Sequence, residues 1–140
     1  MNWKFLLLGT LEFLVALGAI PSGLSMIIRP DGSGLGFTTD YLVNAPFSDF
    51  LIPGIVLFSV IGLCNGAGVF LSLLRKPQAG SAGILLGIFL MAWILLETYF
   101  IGYLSFLQPV LFGVGVIISG LGWLIARSKE GAMGRNKIPV

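Results

Sequence analysis

The chain has 140 residues, of which 56% are hydrophobic and only 10% charged, and its mean hydropathy is +1.00. About a quarter of the residues in a soluble domain are charged, and a core of this size cannot bury so much apolar surface. The composition excludes a soluble globular domain, a disordered chain and a nucleic-acid binder, and the net charge of +2 is too small to specify an acidic partner.

A helix that crosses a bilayer needs about 20 mainly apolar residues. Four segments qualify: residues 3–28, 50–74, 79–103 and 107–126. They predict an all-α fold, a four-helix transmembrane bundle forming a single membrane domain over 1–128. A loop of about 20 residues (Arg29 to Asp49) separates the first two helices, and a basic cytoplasmic tail follows over 129–140. The first span places Gly9, Glu12, Ala16, Ala19 and Gly23 on one face at helical spacing. It could also be read as a cleaved signal peptide with a small-x-small site at Ala16-Leu17-Gly18, but Glu12 interrupts the apolar region and the stretch continues past it.

The loop begins Arg29-Pro30-Asp31-Gly32-Ser33-Gly34-Leu35-Gly36. A phosphate loop would need Lys-Ser/Thr after its last glycine, and a calcium loop would need oxygen ligands where Leu35 stands, so it reads as a flexible turn. Ala45-Pro46-Phe47-Ser48-Asp49-Phe50 reads as a helix start with Ser48 or Asp49 as cap. Phe37, Phe47 and Phe50 are expected in the interface, where the loop could lid a pocket. The second span carries Ser59, Gly62 and Gly66, with Asn65 at the border of that stripe. Gly62-x-x-x-Gly66 and Gly83-x-x-x-Gly87 flank the short turn Arg75-Lys76-Pro77-Gln78 and predict a close crossing of the second and third spans there. Glu97 closes the stripe of the third span. Gln108 opens that of the fourth, which continues through Gly115, Ser119 and Gly122.

Lys/Arg asymmetry sets topology. With the N-terminus inside, Lys4, Arg75, Lys76, Arg127, Lys129, Arg135 and Lys137 lie inside and Arg29 alone lies outside. Both termini are therefore expected in the cytoplasm, and the protein in a prokaryotic cytoplasmic (inner) membrane. Trp3 and Trp123 fall at the inner interface and Tyr41, Tyr99 and Tyr103 at the outer one, as aromatic belts require.

Histidine is absent and Cys64 is the single cysteine. This excludes His-ligated haem, His-based zinc or copper sites and Ser-His or Cys-His nucleophiles. It also excludes an intramolecular disulfide and Cys-x-x-Cys exchange. Cys64 itself reads as a small buried hydrophobe. No catalytic residues, metal ligands or cofactor motif are legible.

Polar groups in hydrocarbon should face the bundle interior or a water-filled cavity. Two sets follow from depth along the helices. Glu12 lies about 24 Å and Asn65 about 22 Å from the outer ends of their helices, which predicts an intramembrane polar pair. Glu97 lies about 9 Å from the outer end of its helix, level with Gln108, Arg29 and Asp49, which predicts an outward-facing ligand pocket built from those four. Each set also has a purely structural reading: Glu97 paired with Arg29 or Gln108 to hold helix ends together, Glu12 hydrogen-bonded to Asn65 for packing, and Arg29 and Asp49 solvated at the interface.

Pro46-Phe-Ser-Asp-Phe-Leu-Ile-Pro-Gly54, Gly62-Leu-Cys-Asn65, Trp93-Ile-Leu-Leu-Glu97 and Gln108-Pro109 resemble a widespread group of small, uncharacterised four-span prokaryotic membrane proteins. That likeness runs over most of the chain, and the group supplies no active site to carry over. More distantly, in size, span number and glycine-rich helices, the chain resembles the DoxX-like superfamily. That likeness implies a membrane subunit of a quinone-linked oxidoreductase acting on sulfur compounds. The small multidrug transporters are similar in size and in carrying a glutamate in the first helix. The residues flanking Glu12, the long outer loop and the strict charge bias all depart from their pattern.

Three functions fit. The favoured one is a non-enzymatic bundle that binds a lipid- or quinone-like molecule or serves as an accessory subunit, since it needs only apolar grooves and a few polar anchors. The second is a proton-coupled carrier of a small molecule using Glu12 or Glu97. The third is an enzyme using Glu97, Arg29 and Asp49 for acid–base work, which would depend on carboxylates alone. The expected surroundings are the lipid bilayer, with a partner membrane protein or a second copy of the chain as candidate neighbours.

Overall fold

The computed structural model describes residues 3–103 and 105–136, with side chains described as far as Ser128. Within that range the chain is helical and contains no strand. Four helices are long and apolar enough to cross a membrane: α1 (Trp3–Ile28), α2 (Leu51–Leu73), α3 (Ala79–Ile101) and the Leu107–Ser128 part of α4. The protein is a small integral membrane protein built as a four-helix bundle. Helix α4 continues to Asn136, so most of the segment expected as a tail extends the last helix. Residues 137–140, with the cation expected at Lys137, lie outside the described residues, as do the side chains of Lys129 and Arg135.

In hydrocarbon a helix must satisfy its own backbone groups, so its ends and breaks are where local chemistry shows. The Asp49 carboxylate accepts the Leu51 N–H at 3.0 Å, and the Ser105 hydroxyl accepts the Leu107 N–H at 3.2 Å. Pro53 and Pro109 stand in first turns, where a missing N–H costs nothing. Pro21 lies inside α1 and removes the donor that would meet the Leu17 carbonyl. Helix α2 is not uniform: Leu57–Leu63 is π-helical, a widened turn of the kind that accommodates one extra residue.

The turn after α2 places Arg75 at φ 52°. The Lys76 N–H donates to the Leu71 carbonyl at 2.9 Å and the Arg75 N–H to the Ser72 carbonyl at 3.1 Å. This is a Schellman stop with arginine where glycine usually sits. At the opposite end, the loop from Arg29 to Phe50 folds through two 3-10 turns, Ser33–Leu35 and Thr39–Leu42. The Phe50 N–H donates to the Pro30 carbonyl at 2.8 Å, closing the loop on itself. Asp31 accepts the Ser33 N–H at 2.9 Å, which holds its carboxyl below the usual aspartate range.

The four helices pack as two tight pairs, α1 with α2 and α3 with α4. Small residues allow this, because helices in lipid associate by close backbone approach. A Cβ at Gly23 of α1 would lie 2.5 Å from the Phe58 nitrogen of α2, and one at Gly80 of α3 would lie 2.7 Å from the Ala126 nitrogen of α4. The close crossing expected between the second and third spans is not what forms. Gly62 packs on Ile20 of α1, Gly83 on Leu8 and Gly122, and Gly87 on Gly115 and Ser119, while nothing lies within 4 Å of a Cβ at Gly66. Gly62 seats on an isoleucine of α1 and Gly83 and Gly87 seat largely on the small-residue face of α4, and the turn between α2 and α3 keeps those helices adjacent without pressing them together. The core between the pairs, with Leu8, Ile61, Leu86, Leu90, Ile118 and Ile125 among its buried members, fills the half of the bundle nearer the termini. Cys64, expected in that core, is exposed, because α2 turns Ile61 and Asn65 inward instead.

Candidate functional site

Toward the loop end the two helix pairs part. A cavity of about 400 Å³ opens between α1 and α4, and one of about 170 Å³ opens between α2 and α3. Met26, Phe37, Trp93 and Glu97 line both. The two hollows therefore meet along one shared wall that crosses the bundle. Their rims are side chains facing outward: Leu14 and Leu107 on one side, Ile52 and Leu96 on the other. The loop roofs them, with Phe37 stacked at 5.8 Å on both Phe50 and Tyr41, and Phe50, Leu42 and Met26 buried beneath.

The walls are nearly all apolar, and Glu97 is the one ionisable side chain in either lining. It is half-buried, and the Gln108 side chain lies near it. Gln108, 6% exposed, is fixed by the chain that joins α3 to α4. Its Nε2 donates to the Gly102 carbonyl at 3.1 Å, and its Oε1 accepts the Ser105 N–H at 3.4 Å. Gly102 can end α3 there because it adopts φ 92°. The Glu97 carboxyl can accept from a hydroxyl, or when protonated donate to a carbonyl, while hydrocarbon fills the space around it.

Of the four residues expected in the outer pocket, Glu97 alone lines the cavities; Gln108 is buried against the α3–α4 connection and lines neither, and the other two do not join them. Arg29 is exposed and lines a separate shallow groove with Pro21, Leu24, Ser25, Ile28 and Gly34. Asp49 caps α2 and lines neither cavity. Depth alone put all four at one level, but the loop turns its phenylalanines inward and leaves Arg29 facing out.

Glu12 and Asn65 are both buried, at 0% and 1% exposure, yet no hydrogen bond joins them. Glu12 Oε2 accepts from the Ser72 hydroxyl at 2.9 Å, and Asn65 Nδ2 donates to the Ile61 carbonyl at 2.7 Å. Ser72 escaped the sequence reading, although it lies seven positions after Asn65 and so shares its face. Trp93 and Phe37 as cavity walls also escaped it, since no periodicity marks a hollow. Among the described residues no group of three or more His, Cys, Asp or Glu could hold a metal ion. Comparison with protein-family models, curated proteins and solved structures gives no match.

Proposed function

We propose that the protein holds one molecule of a lipid- or quinone-like amphiphile in the loop half of the bundle, as a non-enzymatic binder or accessory subunit. The head is a carbonyl or hydroxyl bonded to Glu97, and the hydrocarbon runs along the apolar walls. The observation that carries this is the junction of two sideways-opening apolar cavities at a single carboxyl, that of Glu97. Ligand sites are mostly apolar with a few placed polar groups, and these proportions match. On the Lys/Arg bias and the resemblance to small prokaryotic membrane proteins, we place both termini in the cytoplasm of a prokaryotic cell and the loop end outside, in the inner membrane.

Mass spectrometry of the detergent-purified protein tests the reading first and separates lipid from quinone: a stoichiometric amphiphile should co-purify. For affinity, Trp3→Phe with Trp123→Phe leaves Trp93 as the sole tryptophan, on the shared wall. A short-chain quinone should quench it saturably. Glu97→Leu should weaken binding about tenfold, the equivalent of one hydrogen bond of about 1.4 kcal/mol. No co-purifying amphiphile together with linear, unsaturable quenching would overturn the proposal. The position of Glu97 between two openings also favours a proton-coupled carrier. That reading requires pH-driven uptake into proteoliposomes that Glu97→Gln abolishes.

A further inference from the structure

The half of the bundle that the cavities do not reach holds the other carboxyl. Asn65, Gly68 and Ser72 stand at i, i+3 and i+7 on α2 and share one face. The Glu12 carboxyl of α1 lies against the middle of that row, where a Cβ at Gly68 would come within 2.9 Å of both its Cδ and its Oε1. At one end of the row Ser72 donates to Oε2. At the other end stands Asn65, with its amide nitrogen committed to the Ile61 carbonyl. Two buried oxygens then have no partner, Glu12 Oε1 and Asn65 Oδ1. Both are acceptors at the one face that α2 turns to Glu12.

An ionised Glu12 would leave both acceptors orphaned and a charge uncompensated, which a buried site does not tolerate. Among the described residues the elements packed around it supply no cation. Helix α2 presents Asn65, Gly68 and Ser72, and α3 presents Leu86 at Gly68. Along α1 the nearest cation is Lys4, eight positions away and about 12 Å along the axis. Arg75 and Lys76 are exposed in the turn after α2, and Arg127 of α4 is exposed over the Trp123 ring. One proton removes the conflict. Placed on Oε1, beside Gly68, it turns an acceptor into a donor at the face that also carries the unpartnered Asn65 Oδ1, and leaves Oε2 as the carbonyl oxygen that Ser72 already bonds.

We propose that Glu12, Asn65 and Ser72 form a buried proton-binding site, with the acid proton of Glu12 donated to Asn65. The proton comes from water and nothing is oxidised or reduced. The site is separate from the amphiphile cavities, since Glu12 lines neither, and it stands whether or not those cavities bind a ligand.

The test is infrared spectroscopy of the full chain in liposomes at neutral pH, in a Glu97→Gln background so that Glu12 is the one carboxyl within the spans. A protonated-carboxyl C=O band is expected, and adding Glu12→Gln should abolish it. Asn65→Leu should keep the band and move it to higher frequency as its hydrogen bond is lost. Glu12→Gln presents an amide donor to Asn65 and an acceptor to Ser72, so it should melt close to the parent while Glu12→Ala melts well below it. Absence of the band, or a band that Asn65→Leu does not move, overturns the proposal. If Glu12→Gln fails to fold, the Asn65→Leu spectrum alone decides.

Discussion

Glu12 and Glu97 are the same side chain in two opposite surroundings. Around Glu12 the bundle is closed: α1 and α2 touch backbone to side chain at Gly68, and the carboxyl is fully buried. Around Glu97 the helix pairs stand apart and the carboxyl faces two hollows. The difference lies in where glycines fall. Those of α3 that seat on α4 end at Gly87. Beyond it Leu90 and Ile94 take the buried positions, with Trp93 and Glu97 half-buried beside them, and side chains of that size hold the helices apart. Small residues thus decide which half of the bundle is packed and which can receive a guest.

One kind of substitution should split the glycines seated on a neighbouring helix from the one that faces a hollow. Gly23→Ala puts a methyl group 2.5 Å from the Phe58 nitrogen, and overpacking of that sort costs about 1–3 kcal/mol. The melting temperature in detergent should fall clearly, and Gly87→Ala, which drives a Cβ into Ser119 and the Gly115 carbonyl, should do the same. Gly18 lines the larger cavity, and a Cβ there would meet nothing within 4 Å. Gly18→Ala should be neutral or stabilise by up to about 1 kcal/mol, and Gly18→Leu should lower amphiphile binding without lowering the melting point. Equal losses at Gly18 and Gly23 would erase the contrast.

The closures of the two ends give smaller effects. Arg75 holds a left-handed conformation that costs a non-glycine residue about 1 kcal/mol. Arg75→Gly should recover part of it and raise the melting temperature slightly, the rest being offset by glycine's greater freedom in the unfolded chain. At the loop end, Asp31 is fully exposed, and its carboxyl lies below the usual range because it accepts the Ser33 N–H. A depressed acid holds its bond fully above the unfolded value of about 3.9 and loses it as pH falls through the lower folded value. The Ser33 amide resonance in an NMR titration should shift only in that acidic window, and Asp31→Asn should remove the transition.

The four spans and the bundle were legible because hydrocarbon demands long apolar runs with paired backbones, and such runs cannot be hidden in a sequence. The inward faces of Glu12 and Gln108 were legible for a related reason: both ride on stripes of small residues. Partners were not. A glycine stripe says that a face can be approached, not which neighbour will approach it, so Gly62 and Gly83 met α1 and α4 rather than each other. Depth counted at a uniform rise placed Asn65 opposite Glu12. It missed Ser72, which the carboxyl also meets along the row, on a helix whose spacing is altered by the π-helical stretch upstream. Arg29 and Asp49 were assigned by level alone. Their chemistry is local, an outward guanidinium and a helix cap, and no count of residues reveals that.

The sideways mouths of the cavities carry a consequence for how occupancy is governed. A guest would enter from the acyl-chain region and leave to it without crossing an aqueous phase. Its mole fraction in the bilayer, rather than its concentration in solution, would then set the fraction of protein filled. A water-soluble analogue bearing the same head group should compete poorly at any dose, and diluting the vesicles with buffer at a fixed guest-to-lipid ratio should leave saturation unchanged.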